Sequence, residues 1–137
     1  MVRLETGAVP TTEELVEFYD AVGWSAYTKD PEGLAEAVAN STYVAMLRDG
    51  ERLIGLVRGL SDDVSVLYLQ DIIVHPDYQG QGHGRRLIEH IVERFAHVRQ
   101  KVLMTDDEER QHRLYESLGY RDVAEIDKLH AFARFDE

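Results

Sequence analysis

The feature that most constrains this chain is a β-rich run, Val64 to Val74, closed by His75-Pro76 and followed by Gln79-Gly80-Gln81-Gly82-His83-Gly84. Directly after it, Leu87, Ile88, Ile91, Val92 and Phe95 recur on one helical face. A long β-rich run of this kind, closed by His75-Pro76, predicts the central strand of a sheet. A strand that enters a helix through glycines is an anion-binding device: backbone N–H groups approach a phosphate, and the helix N-terminus adds partial positive charge. Two common versions fail on the residues. A Walker loop needs Lys-Ser or Lys-Thr after its last glycine, where this chain has Arg85-Arg86. The dinucleotide fingerprint needs a glycine at the position of Arg85. Taken alone, the turn is equally a tight connection.

The flanking signals predict a mixed helix and strand order. Val2 to Glu5 alternates as a short strand, and Thr11 with Glu14 forms a capping box for a helix through about Ala21. Asp30 as N-cap and Pro31 at the first helical position open a second helix toward Asn40. Gly23-Trp24-Ser25-Ala26-Tyr27 between them is expected to be a loop. Thr42 to Leu47 and Leu53 to Val57 suit two strands joined at Asp49-Gly50, and Ser61-Asp62-Asp63 turns the chain again. Lys101 to Met104 predicts a buried strand, Glu108 to Leu118 a helix ended by Gly119, and the remainder two short strands.

Composition narrows the partners. A chain of 137 residues, 44% hydrophobic and 30% charged, suits one packed domain. Its net charge of -11 disfavours nucleic acid, whose phosphates are met chiefly by Lys and Arg, and favours cationic partners. The absence of cysteine excludes disulfides, thiolate metal sites and a cysteine nucleophile. No apolar run approaches a membrane span, and the N-terminus lacks the features of a signal peptide, so the expected location is cytoplasmic.

The pattern Gln/Arg-x-x-Gly-x-Gly/Ala is met by Gln79, Gly82 and Gly84, after Val74-His75-Pro76-Asp77-Tyr78. Downstream, and beyond a further strand, lies Leu114-Tyr115-Glu116-Ser117-Leu118-Gly119-Tyr120. Together these resemble the two signatures of the GCN5-related N-acetyltransferase (GNAT) superfamily, over about the second half of the chain. The resemblance implies an α/β (α+β) fold in one domain, residues 1–137: a mixed, mostly antiparallel sheet of about six to seven strands flanked by about four helices. It also implies transfer of the acetyl group of acetyl-coenzyme A to a primary amine, with no metal.

Residue by residue, the resemblance implies that Gln79, Gly80, Gln81, Gly82, His83, Gly84 and Arg85 cradle the pyrophosphate, largely through backbone amides. Arg85 and Arg86 are also consistent with solvated helix residues. Ile72, Ile73 and Val74 pair with the pantetheine arm, and the N–H of Val74 stabilises the developing oxyanion. Tyr115 falls on the general acid that protonates a departing thiolate, whose parent thiol has a pKa of roughly 8.5; the alternative is a packing tyrosine. Asp71, the carboxylate of the central run, is the candidate base or orienter of water. Simple alternation points it away from Gln70, but a bulge of the kind this family places in the strand brings it in. Tyr68, Gln70, Trp24 and Tyr27 are the candidate acceptor-site residues, with core covering as the alternative for Trp24 and Tyr27. One departure stands out, since many relatives carry asparagine where this chain has Glu108.

His83, His90 and His97 recur at a spacing of two helical turns, about 10 Å, too wide for a shared metal, and read as a polar face. With no cysteine and no Gly-x-Ser-x-Gly, direct transfer in a ternary complex is expected. A small-molecule amine is the expected acceptor, and a homodimer is left open. The alternatives are a protein N-acetyltransferase and a non-catalytic acyl-coenzyme A sensing module, against which the retention of Tyr115 argues.

Overall fold

Thr11, as predicted, closes a capping box: its hydroxyl accepts from the Glu14 amide at 3.1 Å while the Glu14 carboxylate accepts from the Thr11 amide at 3.0 Å. The computed structural model describes residues 1–136. They fall into two compact units, Met1–Met104 and Thr105–Glu137.

The first unit carries the sheet. Strand β1 (Val2–Thr6) leads to helices α1 (Thr12–Ala21), α2 (Ser25–Thr28) and α3 (Pro31–Ala39). Strands β2 (Tyr43–Asp49), β3 (Arg52–Ser61) and β4 (Val66–Val74) follow, then helix α4 (His83–Arg94) and strand β5 (Gln100–Leu103). The sheet order is β1-β2-β3-β4-β5; the first three pairings are antiparallel and β4 with β5 is parallel. The sheet is therefore mixed and mostly antiparallel.

Each face of the sheet buries its own cluster. On one, Leu15, Phe18 and Tyr19 of α1 and Leu34 and Val38 of α3 meet Val44, Met46, Leu56 and Ile73. On the other, Leu87 and Ile91 of α4, with Phe95, meet Ala45, Leu47, Val57, Leu67 and Leu69. The predicted apolar stripe of α4 is the cause, with Val92 half-buried at its border. A Cβ on Gly59 would stand 3.0 Å from the side chains of both Ile91 and Leu67, so the missing side chain lets the helix lie close.

The second unit holds α5 (Glu109–Ser117), which ends as predicted at Gly119, where φ is +93°. Three expectations need correction. The strand expected to be buried at Lys101 to Met104 is instead β5, Gln100–Leu103, an edge strand with no buried residue, and Met104 is exposed. The segment with Trp24 and Tyr27 contains the short helix α2. The described sheet has five strands, not six or seven, because residues 121–136 form only a 3-10 turn, Val123–Glu125, and otherwise irregular chain. A strand needs backbone partners and a face to bury, and here Leu129, Phe132 and Phe135 stay 47%, 95% and 82% exposed. Among the described residues, no helix is long and apolar enough to cross a membrane.

Candidate active site

The glycine turn opens α4 as its residue types require. Gly80 and Gly82 take φ of +79° and +86°, a region that disfavours residues with a Cβ, and a Cβ on either would meet nothing within 4 Å. The space beside the turn is thus open. Gly82 is the N-cap, and the first intrahelical bond runs from the Arg86 amide to the Gly82 carbonyl at 3.1 Å. The amides of His83 and Gly84 precede it and have no intrahelical acceptor. Gln79 braces the entry by donating from Nε2 to the Val74 carbonyl at 3.0 Å. Arg86 donates to the Val2 carbonyl at 3.2 Å, so part of its guanidinium is occupied by β1.

Beside this turn, β4 has an open edge. Pairing with β5 runs from Val66 to Leu69, while β4 continues to Val74. Among the described residues, no strand pairs with Ile72, Ile73 or Val74 on that side. Extended backbone with a free edge accepts an extended ligand through main-chain hydrogen bonds.

Where the pairing stops, β4 bulges. Arg58 pairs with Asp71 and Gly59 with Leu69, so Gln70 is an extra residue on β4. Leu67, Leu69, Ile72 and Val74 lie with the α4 cluster, whereas Ile73 lies with the α1 and α3 cluster. The bulge therefore puts Gln70 and Asp71 on one side, the exception to alternation that the family resemblance implies. Both side chains reach the same hydroxyl: Gln70 Nε2 donates to Tyr27 at 3.0 Å, and Tyr27 donates to Asp71 Oδ1 at 3.3 Å.

Asp71 is 1% exposed and already committed. Its Oδ2 accepts from Arg58 Nε at 2.6 Å and from the Tyr19 hydroxyl at 2.8 Å. Burial, then the charge of Asp71, pushes the Tyr19 hydroxyl far above its ordinary pKa, and the same two causes raise Tyr27. Burial is also the first cause that raises Tyr68. All three are proton donors at neutral pH. Trp24 is half-buried against the α1 cluster and stacks on Tyr27 with ring centroids 5.9 Å apart, so it covers the core.

Arg58 and Tyr19 escape the sequence reading. One signal was available for Arg58: opposite charges inside consecutive apolar strands, Arg58 in β3 and Asp71 in β4, call for each other. Tyr19 sits in the apolar stripe of α1 and gives no such sign.

Tyr115 belongs to the second unit. It is 9% exposed, and burial raises its pKa against a lowering hydrogen bond from Thr105. Its ring meets Tyr120 edge-on at 6.1 Å, and burial, then the charge of Tyr115, pushes Tyr120 up to about 12. Glu108 is the exposed N-cap of α5 and makes no side-chain cap bond. Of the three spaced histidines, His90 meets the Tyr43 hydroxyl at 2.8 Å and His97 meets Asp63 at 2.8 Å. Asp62 holds the turn before β4 by accepting from the amides of Val64, Ser65 and Val66. The hydrogen bond from the Ser65 hydroxyl, then those from the amides, drives its pKa strongly down, which gives this carboxylate a structural task.

The acetyltransferase (GNAT) family model matches residues 9–120, a run that spans both units. A histone acetyltransferase of Glycine max is 36% identical over 90 residues, covering 58% of this chain and 38% of that protein. A thialysine N-epsilon-acetyltransferase of Bos taurus is 37% identical over 75 residues, covering 51% and 42%. The chain thus spans under half the length of these curated relatives. Among solved structures, a GNAT family acetyltransferase of Streptococcus pneumoniae superposes with a TM-score of 0.84 at 28% identity, with 100% of both chains covered. Since the family model takes in most of the sequence, from α1 through the glycine turn to Tyr120, the chain belongs to the acetyltransferase (GNAT) family.

Proposed function

We propose that residues 1–137 work as one catalytic domain that transfers the acetyl group of acetyl-coenzyme A to a primary amine on a small molecule, by direct transfer in a ternary complex. The observation that carries this reading is one stretch of backbone. An open β4 edge leads into a turn with two left-handed glycines and the start of α4, while the bulge at Gln70 gathers polar side chains on the other side.

Acetyl-coenzyme A supplies an activated thioester when bound. The residues present fit it: the amides of His83 and Gly84, open space at Gly80 and Gly82, and a cation at Arg85 suit a pyrophosphate. The backbone of Ile72, Ile73 and Val74 suits an extended arm, with the Val74 amide toward a developing oxyanion. Tyr115 carries a proton that burial keeps in place at neutral pH, and in this reading it serves as general acid toward the leaving sulfur. Asp71 is shut off by Arg58, Tyr19 and Tyr27, so its role is to orient, and removal of the amine proton falls to water. A thialysine acetyltransferase among the relatives supports a small-molecule acceptor.

The test is thiol release from acetyl-coenzyme A across a panel of amines. Turnover with a small primary amine is expected, with Tyr115→Phe lowering it by roughly 10²-fold while coenzyme binding persists. Gly82→Glu should abolish the coenzyme-induced rise in melting temperature. Unchanged turnover in Tyr115→Phe assigns that residue to packing, and preference for a histone peptide moves the acceptor to protein.

A further inference from the structure

The cluster around Asp71 fixes more than a bulge, because each of its hydrogen bonds dictates the direction of the next. A carboxylate paired with a guanidinium only accepts, so the protons of Arg58 Nε, Tyr19 and Tyr27 all point at Asp71. Arg58 is held in turn by donating to Ser41 Oγ at 3.3 Å and to the Ala37 carbonyl at 3.5 Å. With its proton given to Asp71, Tyr27 faces Gln70 with lone pairs. Only the amide nitrogen of Gln70 can answer, and it does so at 3.0 Å. An amide has one donor end and one acceptor end, so pinning Nε2 turns Oε1 the other way. No hydrogen bond occupies Oε1 among the described residues.

We propose that Arg58, Asp71 and Tyr27 are positioning residues that lock Gln70 with its carbonyl Oε1 presented to the acceptor, so that this site selects molecules carrying N–H. That the acceptor approaches this face rests on the acetyl-transfer reading above. The raised pKa of Tyr27 supports its part as a donor. The charge of Asp71 is matched by Arg58 at 2.6 Å, so the cluster attracts a cation weakly by charge and discriminates by hydrogen bonding instead.

Two cations of equal charge separate these effects. Propylammonium carries three N–H donors and tetramethylammonium none. Binding of each is read from the side-chain amide resonances of Gln70 in nitrogen-15-labelled protein. Propylammonium is expected to bind at least about tenfold more tightly, the scale of one hydrogen bond to a charged group. In Tyr27→Phe, which keeps the ring against Tyr19 and Trp24, the preference should fall below about twofold, with the melting temperature confirming the fold. Equal binding of the two cations, binding of neither, or a preference undiminished in Tyr27→Phe overturns the proposal. The measurement needs no coenzyme, so the two readings fail separately. Discrimination without thiol release from any amine removes acetyl transfer and keeps the locked amide; thiol release without discrimination does the reverse.

Discussion

Arg58 and Gly59 are neighbours on β3, yet they serve opposite faces of the sheet by opposite means. Arg58, 5% exposed, sends a guanidinium under α1 and α3 to meet Asp71. Gly59 offers α4 no side chain at all, so that Ile91 settles onto the strand. The α4 face is apolar packing: Leu87, Ile88, Ile91 and Phe95 are at most 1% exposed, and full burial of each such side chain contributes about 1.5–3 kcal/mol. The α1 and α3 face mixes the same packing with a buried ion pair, which stabilises weakly after desolvation but has a strict geometry. One face holds the turn-bearing helix in place, and the other sets the direction of the hydrogen bonds that run from Asp71 to Gln70.

The largest expected effect breaks this difference at its polar end. Arg58→Met leaves Asp71 buried without its cation and should cost about 3–5 kcal/mol, measured by urea unfolding. Replacing both partners, Arg58→Met with Asp71→Leu, should recover most of that loss, since an apolar pair of similar volume is often no worse than the ion pair. The double variant should stand well above Arg58→Met in stability yet show no preference for N–H donors. A double variant as unstable as the single one would mean that the pair is needed for the fold itself.

At the apolar end the expected loss is smaller and of another kind. Gly59→Ala places a methyl 3.0 Å from the Ile91 and Leu67 side chains, an overpacking that should cost about 1–3 kcal/mol. The Ile91→Val background removes the δ-methyl that the new group strikes, so the combined loss should fall short of the sum of the two single losses. Strict additivity would place the strain at Leu67 instead.

These contrasts also explain how far the sequence could be read. The capping box at Thr11, the Asp30-Pro31 helix start, the glycine turn and the stripe of α4 depend on residues a few positions apart, and each formed as predicted. The partnership of Arg58 with Asp71 and Tyr19 depends on strand register and helix placement, which no local pattern encodes. The side on which Asp71 lies turned on a single bulge. The two C-terminal strands failed for a related reason, since the residue types of 121–136 say nothing about an available pairing edge.

The smallest expected effect sits at the rim of the same face, where a second arginine meets a second carboxylate in the presence of water. Arg48 Nη1 donates to Glu14 at 2.6 Å, and its Nε lies 3.0 Å from Glu5, but Glu14 keeps 31% of its side chain exposed. The hydrogen bond from Arg48, outweighing partial burial, holds the Glu14 carboxyl below its ordinary pKa of 4.5. In the unfolded chain Glu14 takes up a proton as pH falls through about that value, while the folded chain resists until lower pH. The stabilisation is therefore complete above this range and is lost as pH falls through the folded value. Solvent screening limits it to about 0.5–1 kcal/mol. Glu14→Gln keeps an oxygen for the Thr11 amide but removes the charge and puts an amide nitrogen, which cannot accept, where an oxygen met Arg48 Nη1, so it should cost that amount at pH 7 and little once the parent carboxyl is protonated and has likewise lost an acceptor. Urea midpoints of both proteins from pH 7 downward should converge, and raising the salt concentration at pH 7 should narrow the gap. A gap that stays constant with pH would place the loss in packing rather than charge, making this rim pair resemble the buried one more closely than its exposure implies.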